Sequence, residues 1–248
     1  MAGYALAGRG LRTHGTRVVH FKLRSADVGR VVQETAVIPP GGSAGRPLLV
    51  LLHWRGGRPD SLLSNQLFAG LAALGRRAPV VVMPEGGGGS FFHDRRTGRW
   101  ASDVVHEVIP AAVRRFGVDG SRVAIGGTSM GGFGALDIAR LWPGRFCAVG
   151  AHSPAIFESA RSRMAGSFDS ARDFARHDLL SLHPSYGRTP VWVDVGTHDR
   201  FRAADVRFAR ELGLPAHVWP GTHGSHYWKS HMGQYLRFYA DALARCRR

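Results

Sequence analysis

The sequence is poor in cysteine, in lysine and in long apolar runs. Its two cysteines, Cys147 and Cys246, are too few for a disulfide framework and lack the spacing of metal ligands. No apolar run approaches the ~20 residues that a membrane-spanning helix needs, so we predict no membrane span. The segment Met1–Arg12 contains no long apolar core followed by a cleavage site. We therefore expect no signal peptide and a cytoplasmic protein.

The positive charge is almost entirely arginine. The formal net charge is +15, and Lys22 and Lys229 are the only lysines. The arginines are scattered or occur in short pairs, and no basic helix is interleaved with aromatic residues, so nucleic acid is not an expected partner. We interpret the charge as a solvated arginine-rich surface, with a positive field around a substrate cleft as the alternative.

Strand and helix patterns alternate along the chain. Predicted strands lie at residues 16–23, 30–38, 47–53, 79–83, 122–126, 146–151, 190–195 and 216–219. Predicted helices lie at residues 62–74, 102–116 with a kink at Pro110, 132–141, 201–212 and 228–244. This alternation predicts a single α/β domain over residues 1–248, with a mostly parallel central sheet and helices on both faces. Residues 156–182 are polar, have a helical pattern and interrupt the alternation, so we expect a small helical cap or lid there.

Residues 127–131 read Gly-Thr-Ser-Met-Gly, the G-x-S-x-G pattern of a nucleophile elbow. An apolar strand pattern precedes Ser129 and a helical pattern follows it, which is the context that this motif requires. The turn lifts the serine hydroxyl clear of the sheet. It also directs the backbone N–H of Met130 and the helix N-terminus toward an oxyanion.

A serine nucleophile needs a base, and the base needs an orienting acid. In α/β-hydrolases the order along the chain is Ser, then Asp or Glu, then His. The acid candidate is Asp199, in the loop after the strand at 190–195; Asp194 within that strand is the rival. Asp199 could instead cap the helix that follows it.

The base candidates lie in the loop between the last strand and the last helix. Position excludes His217, predicted in a strand, and His231, predicted in a helix, which leaves His223 and His226. A zinc site made of His223, His226 and His231 is a minor alternative, because the spacing lacks an H-E-x-x-H helix or cysteine partners. For the second oxyanion donor we expect the loop at residues 52–57, where Gly56 and Gly57 suit a close turn.

These motifs resemble the Putative esterase family of α/β-hydrolases, which includes S-formylglutathione hydrolases, enterochelin and feruloyl esterases and antigen 85 mycolyltransferases. The resemblance spans residue 47 to the C-terminus, and the Ser-Met-Gly-Gly-Phe-Gly-Ala-Leu run at 129–136 is its most specific part. It implies that Ser129 is the nucleophile, Asp199 the acid and His223 the base. It also implies that the amides of Arg55 and Met130 are the oxyanion donors.

Two positions depart from the family pattern. Trp54 follows His53 where many members have glycine, which can narrow the acyl pocket, and His226 remains a rival base. We expect Trp54, His226 and Trp228 to contact the substrate. The aromatic residues Phe91, Phe92, Trp100 and Phe157 are further candidates for an apolar pocket.

The sequence thus predicts a serine esterase that forms an acyl-enzyme on a small-molecule ester and needs no cofactor or metal ion. Acyl transfer of the mycolyltransferase type would use the same residues, because water and an alcohol accept the acyl group in the same way. A non-catalytic binding protein that keeps the hydrolase fold is the alternative from another class.

Overall fold

The computed structural model describes residues 10–246, so residues 1–9, most of the segment inspected for a signal peptide, lie outside the described part. The strands are β1 (Arg17–Ser25), β2 (Arg30–Ile38), β3 (Pro47–Leu52), β4 (Val80–Met83), β5 (Asp94–Arg95), β6 (Gly98–Arg99), β7 (Asp119–Thr128), β8 (Val149–His152), β9 (Val191–Gly196) and β10 (Ala216–Trp219). The α-helices are α1 (Asn65–Leu74), α2 (Trp100–Ser102), α3 (Ile109–Phe116), α4 (Met130–Leu141), α5 (Ala171–His177), α6 (Leu179–Leu182), α7 (Arg202–Glu211) and α8 (Ser225–Arg245). Short 3-10 turns lie at Pro59–Leu62 and Gly75–Arg77.

Eight strands form one sheet in the order β1-β2-β4-β3-β7-β8-β9-β10, and β5 pairs with β6 separately. The pairs β1–β2 and β2–β4 are antiparallel, and all other neighbours in the large sheet are parallel. This topology confirms the predicted mostly parallel α/β sheet. It also confirms the predicted N-terminal antiparallel pair, which turns at residues 26–29.

Strand β3 shows how the sheet is covered on both faces. Alternate residues of a strand point to opposite faces. Leu48, Val50 and Leu52 belong to a core cluster with residues of α3, α4 and α7. Leu49 and Leu51 belong to a second cluster with residues of α1 and α8. Because both faces are buried, the strand reads as a continuous apolar run rather than an alternating one.

The helix predicted over residues 102–116 is interrupted by a π-helical segment, Asp103–Val108. Pro110 lies in the first turn of α3. The backbone is helical without a break from the π-helical segment into α3, so Pro110 removes a hydrogen-bond donor from within a helix, and its ring crowds the carbonyl of His106. The irregular segment lies in the turn before Pro110, which is where a proline disturbs a helix.

The cap segment is helical only in its second half. Residues 158–170 form turns and bends, whereas α5 and α6 follow from Ala171 to Leu182. Ser170 and Asp178 start these two short helices, because each side chain accepts a backbone N–H of the first turn. The predicted helix was too long at its N-terminal end.

Cys147 and Cys246 are joined by a disulfide bond across 99 positions of sequence, with their Cα atoms 5.7 Å apart. The sequence analysis did not anticipate this pair. The bond ties the end of α8 to the segment that leads into β8. Among residues 10–246, no helix is long and apolar enough to cross a membrane.

Candidate active site

Ser129 lies in a strained turn between β7 and α4. Its backbone has φ 55° and ψ −115°, a region that non-glycine residues rarely adopt. A Cβ atom on Gly127 would collide with the backbone of Gly131, and a Cβ atom on Gly131 would collide with the carbonyl of Leu52. The two glycines of the motif are therefore required by the close approach of β3, the elbow and α4.

The strained turn is held by backbone hydrogen bonds to the neighbouring strand. The N–H of Ser129 donates to the carbonyl of His152 at 3.0 Å, and the N–H of Ala155 donates to the carbonyl of Ser129 at 3.0 Å. Bonds on both sides of the serine fix the direction of its side chain, which is largely buried.

The hydroxyl of Ser129 begins a chain of two side-chain hydrogen bonds. Its Oγ lies 2.7 Å from Nε2 of His223, and Nδ1 of His223 lies 2.8 Å from Oδ2 of Asp199. A carboxylate only accepts, so Nδ1 carries the proton and Nε2 is left to accept from the serine hydroxyl. The imidazole is thus in the tautomer that a general base requires.

Two aromatic rings hold the imidazole of His223 in place. Phe201 and Trp228 contact it edge-on, with ring centroids 5.0 and 5.3 Å away. Asp199 is buried, and its Oδ1 accepts the N–H of Phe201 at 2.8 Å. One carboxylate oxygen of Asp199 therefore binds the backbone at the start of α7, and the other orients the imidazole of His223. This accounts for both sequence interpretations of Asp199.

The rival acid, Asp194, is completely buried in β9 and has other partners. Its oxygens lie 2.6 Å from Nδ1 of His152 and accept from the hydroxyls of Tyr227 and Tyr235 at 3.0 and 2.8 Å. Nε2 of His152 lies 2.8 Å from the hydroxyl of Tyr239. Asp194 thus organises a buried polar cluster behind the elbow rather than the imidazole that faces Ser129.

The rival base, His226, is not in the loop where it was predicted. It lies in the first turn of α8, which starts at Ser225, and its side chain is exposed. It is also absent from the cleft wall. His231 stacks on Trp219, with ring centroids 4.2 Å apart. In the part of the chain that the structure describes, His223, His226 and His231 form no group of metal-ligand geometry.

A cleft of about 390 Å³ opens over the serine hydroxyl. It is lined by Trp54, Arg55, Ser129, Met164, Arg200, Phe201, His223, Gly224, Ser225 and Trp228. Trp54 and Trp228 stack with ring centroids 5.3 Å apart and form an aromatic wall. Two of the three predicted substrate contacts therefore lie in the cleft, and His226 does not.

The four other aromatic candidates are core residues. Phe91 and Phe92 have no exposed surface, and Trp100 and Phe157 are 3% exposed. Phe91, Phe157 and Phe168 pack in one aromatic cluster, with ring centroids 5.5–6.1 Å apart. The prediction that these four residues line the pocket was wrong. The sequence shows that they are aromatic and near cleft segments along the chain, but not whether each ring packs into the core or faces the cleft.

The loop after β3, which contains Trp54 and Arg55, lines one side of the cleft. The N–H of Gly56 donates to the carbonyl of Gly88, and the N–H of Gly57 donates to the carbonyl of Trp54 at 2.9 Å. Nδ1 of His53 also donates to the Trp54 carbonyl, at 2.8 Å. Burial lowers the pKa of His53, so the ring is neutral at pH 7. These bonds fix the turn that brings Arg55 to the cleft.

Arg55 and Arg200 flank the cleft with exposed guanidinium groups. Arg55 donates to the carbonyl of Ala165 in the cap segment at 3.1 Å, and Arg200 lies over the ring of Phe201 at 5.3 Å. The sequence analysis did not single out Arg200 or Met164. Arg200 could have been found from its place next to Asp199, whereas nothing in the sequence around Met164 indicates the cleft.

The sheet topology, with the elbow between β7 and α4, defines a protein of α/β-hydrolase fold. The sequence profile of the Putative esterase family matches residues 34–239, most of the 248 residues. The chain belongs to this family, as the sequence motifs predicted.

Individual relatives are more distant. Over 178 residues, the chain is 29% identical to an S-formylglutathione hydrolase of Paracoccus denitrificans, and the alignment covers 64% of each protein. The matched region thus spans less than two thirds of that relative. A solved ferulic acid esterase has a TM-score of 0.78 at 22% identity, covering 93% of this chain and 99% of that one. An S-formylglutathione hydrolase from Agrobacterium tumefaciens has a TM-score of 0.78 at 21% identity, covering 94% and 97%. At these identities the structural likeness establishes the fold.

Proposed function

We propose that the protein is a serine esterase that cleaves small-molecule carboxylic esters or thioesters through an acyl-enzyme on Ser129. The observation that carries this proposal is the hydrogen-bonded chain from Ser129 through His223 to Asp199, which opens onto a solvent-accessible cleft. Membership of an esterase family supports the same chemistry.

In the first step, His223 accepts the proton of Ser129 while Oγ attacks the acyl carbonyl. The imidazolium that forms is stabilised by the carboxylate of Asp199 through Nδ1. The proton on Nε2 then passes to the leaving alcohol or thiol, which breaks the original ester bond and leaves the acyl group on Oγ.

The negative charge on the carbonyl oxygen needs two donors. Met130 is the first residue of α4, so its N–H belongs to the unpaired donors at the positive end of the helix dipole. The backbone N–H of Arg55, in the ordered turn after β3, is the second proposed donor. Removing one such donor typically costs about 10²–10³ in kcat.

The aromatic wall suggests which part of a substrate binds where. Trp54 and Trp228 offer a flat apolar surface beside Ser129, suited to an aliphatic or aromatic group. The relatives named above include a ferulic acid esterase and S-formylglutathione hydrolases. We therefore propose esters and thioesters of small acyl groups as the substrate class.

A set of p-nitrophenyl esters of increasing acyl length tests the proposal. We expect saturable hydrolysis with a preference for one chain length. Ser129→Ala should lower kcat by about three or more powers of ten while the circular dichroism spectrum is unchanged. Near wild-type activity in this variant would contradict the proposal. Product analysis with an added alcohol separates hydrolysis from acyl transfer, because only a transferase forms the new ester in preference to the acid.

A further inference from the structure

A second cluster of titratable side chains lies away from the cleft. His93 precedes β5, and Asp173 and His177 are four residues apart on α5. All three residues are buried, at 0%, 2% and 7% exposure. The ring of Phe168 stacks on His93 at a centroid distance of 4.9 Å and helps to exclude water. None of these residues takes part in the proposed esterase chemistry.

The three side chains have the spacing of metal ligands. Nε2 of His93 lies 3.1 Å from Oδ2 of Asp173, and Nε2 of His177 lies 3.9 Å from Oδ1 of the same carboxylate. One ligand atom from each residue falls within 4.8 Å of the others. Two ligands of a tetrahedral zinc ion with bonds of 2.0–2.2 Å are about 3.4 Å apart. The two nitrogen–oxygen separations given above, 3.1 and 3.9 Å, lie on either side of this value.

A hydrogen bond to Asp137 orients the ring of His177. Nδ1 of His177 lies 2.7 Å from Oδ2 of Asp137 on α4. Because a carboxylate only accepts, Nδ1 carries a proton, and Nε2 is the nitrogen of His177 that lies on the side of Asp173 and could bind an ion. Nε2 of His177 and Oδ1 of Asp173 are 3.9 Å apart, too far for a hydrogen bond between them. A carboxylate that fixes the far nitrogen of a histidine is also the usual outer partner of a metal-bound imidazole.

His93 has one ring nitrogen with an unfilled bonding position. Without an ion, Nε2 of His93 donates to Oδ2 of Asp173, because a carboxylate only accepts; when an ion binds Nε2, that proton leaves it. Its Nδ1 is buried and has no hydrogen-bond partner in the described part of the chain. The hydrogen bonds within this cluster therefore leave one buried ring nitrogen without a partner among the described residues.

The charges around the cluster can adapt to an added ion. Asp137 is held by Arg140, and Oδ1 of Asp173 accepts from Arg176 at 2.9 Å. The side chain of Arg176 is 64% exposed. It can turn into solvent when a cation takes its place on Asp173, at little cost in desolvation.

We propose that His93, Asp173 and His177 bind a divalent transition-metal ion, for which Zn²⁺ is the best match. Imidazole nitrogen and carboxylate oxygen are ligands that Zn²⁺ accepts, whereas Mg²⁺ and Ca²⁺ prefer oxygen alone. The fourth position is taken by water or by the second oxygen of Asp173. The bound ion links α5 of the cap segment to the residues before β5 and, through Asp137, to helix α4. Its role is structural, because none of its ligands lines the cleft.

The test is a Zn²⁺ titration of the full chain after chelator treatment and dialysis. We expect about one ion per chain with a dissociation constant of about 1 μM or tighter. Co²⁺ should give the visible bands of a four-coordinate site, and Zn²⁺ should raise the unfolding temperature. Absence of such binding in the folded wild type would overturn the proposal, whatever the variants do.

Four variants locate the ion. Asp173→Asn and His177→Gln should each weaken Zn²⁺ binding by about tenfold or more, as loss of a ligand does. Arg176→Gln lies on the same helix and keeps all three ligands, so it should bind at least as tightly as the wild type. His223→Gln removes the imidazole near Ser129 and should bind normally. Loss of binding in His223→Gln, or normal binding in a folded Asp173→Asn protein, would assign the ion elsewhere and refute the site.

Discussion

At the scale of single residues, the two buried aspartates of the β9 region have different tasks. Asp199 lies just beyond the strand, where a loop brings it to His223. Asp194 lies within the strand and is surrounded by His152, Tyr227 and Tyr235. Both are buried carboxylates with a histidine partner, so burial alone does not distinguish them. What distinguishes them is whether the histidine faces Ser129.

Substituting each aspartate by asparagine should separate these tasks. Asp199→Asn should lower kcat by about three or more powers of ten, because the amide no longer stabilises the charged imidazole or fixes its tautomer. Asp194→Asn should mainly lower the free energy of unfolding, by about 3 kcal/mol, because it breaks a buried hydrogen-bonded pair. Urea denaturation and esterase kinetics on both variants check this. A stable but inactive Asp194→Asn protein beside an active Asp199→Asn protein would reverse the two assignments.

His223, in the loop before α8, and His226, in the first turn of α8, allow a similar comparison. His223→Ala should lower kcat by orders of magnitude, because the proton acceptor for Ser129 is lost. His226→Ala should change kcat and KM little, since its side chain is exposed and outside the cleft wall. The sequence analysis instead expected His226 to contact the substrate. Kinetics of both variants on one ester decide it, and an inactive His226→Ala enzyme would show that His226 reaches the substrate.

At the scale of structural elements, the elbow depends on how closely β3 approaches α4. The carbonyl of Leu52 occupies the space where a side chain on Gly131 would lie. Tyr239 of α8 makes a similar approach from the other face, with its hydroxyl over Gly126 and Gly150. Because these positions are glycine, neighbouring elements can pack closely against both faces of the sheet beside the elbow. This close packing holds the strained turn in place.

Glycine-to-alanine substitutions test this packing. Gly131→Ala should reduce both stability and activity, because the methyl group collides with backbone that cannot move aside. The matched control is Gly233→Ala in α8, where the nearest atom to the added Cβ is the flexible end of Arg237. It should stabilise the protein by about 0.5–1 kcal/mol, since alanine favours a helix interior. Thermal unfolding of both variants is the measurement. Equal stability of both would contradict the steric account.

Element positions were well predicted where one pattern dominates. The apolar runs at 47–53 and 79–83 correspond to β3 and β4, and the elbow motif corresponds to the β7–α4 junction. The π-helical segment and the turns at 158–170 were not predicted, because a helical pattern of residues does not show where the hydrogen bonding departs from that of an α-helix. Motif and chain order together singled out residues 129, 199 and 223, and the structure brings these three side chains into one hydrogen-bonded chain. Met164 was not predicted, because its place at the cleft depends on how the irregular part of the cap segment packs over the sheet.

At the scale of the whole molecule, two features bear on the conditions in which the protein works. The first is the disulfide bond, which the expected cytoplasmic location does not predict, because disulfides persist mainly in oxidising compartments. The net charge of +15 is the second feature. Arg55 and Arg200 place part of this charge at the cleft.

Reduction of the disulfide should destabilise the fold. The bond closes a loop with a sequence separation of 99 residues, and such cross-links typically contribute about 2–4 kcal/mol. Thermal unfolding with and without a phosphine reductant checks this, with Cys246→Ser as the genetic equivalent. If thiol titration shows both cysteines reduced and the unfolding temperature is unchanged, the bond contributes nothing to stability.

The arginines at the cleft should make catalysis sensitive to salt for charged substrates only. A Debye length of about 8 Å at 0.15 M salt screens exposed charges at longer range. Thus kcat/KM for a carboxylated ester should fall as salt rises, while a neutral ester of similar shape should be unaffected. Equal responses to salt would leave the arginines as a solvated surface without influence on substrate capture.

The central claim is that Ser129 is the activated nucleophile, and covalent labelling tests it most directly. The native protein is treated with a fluorophosphonate probe, and peptide mass spectrometry locates the adduct. We predict stoichiometric labelling at Ser129, little labelling in His223→Ala, and none in Ser129→Ala. No adduct on the folded wild type, or an adduct on another serine, would contradict the claim.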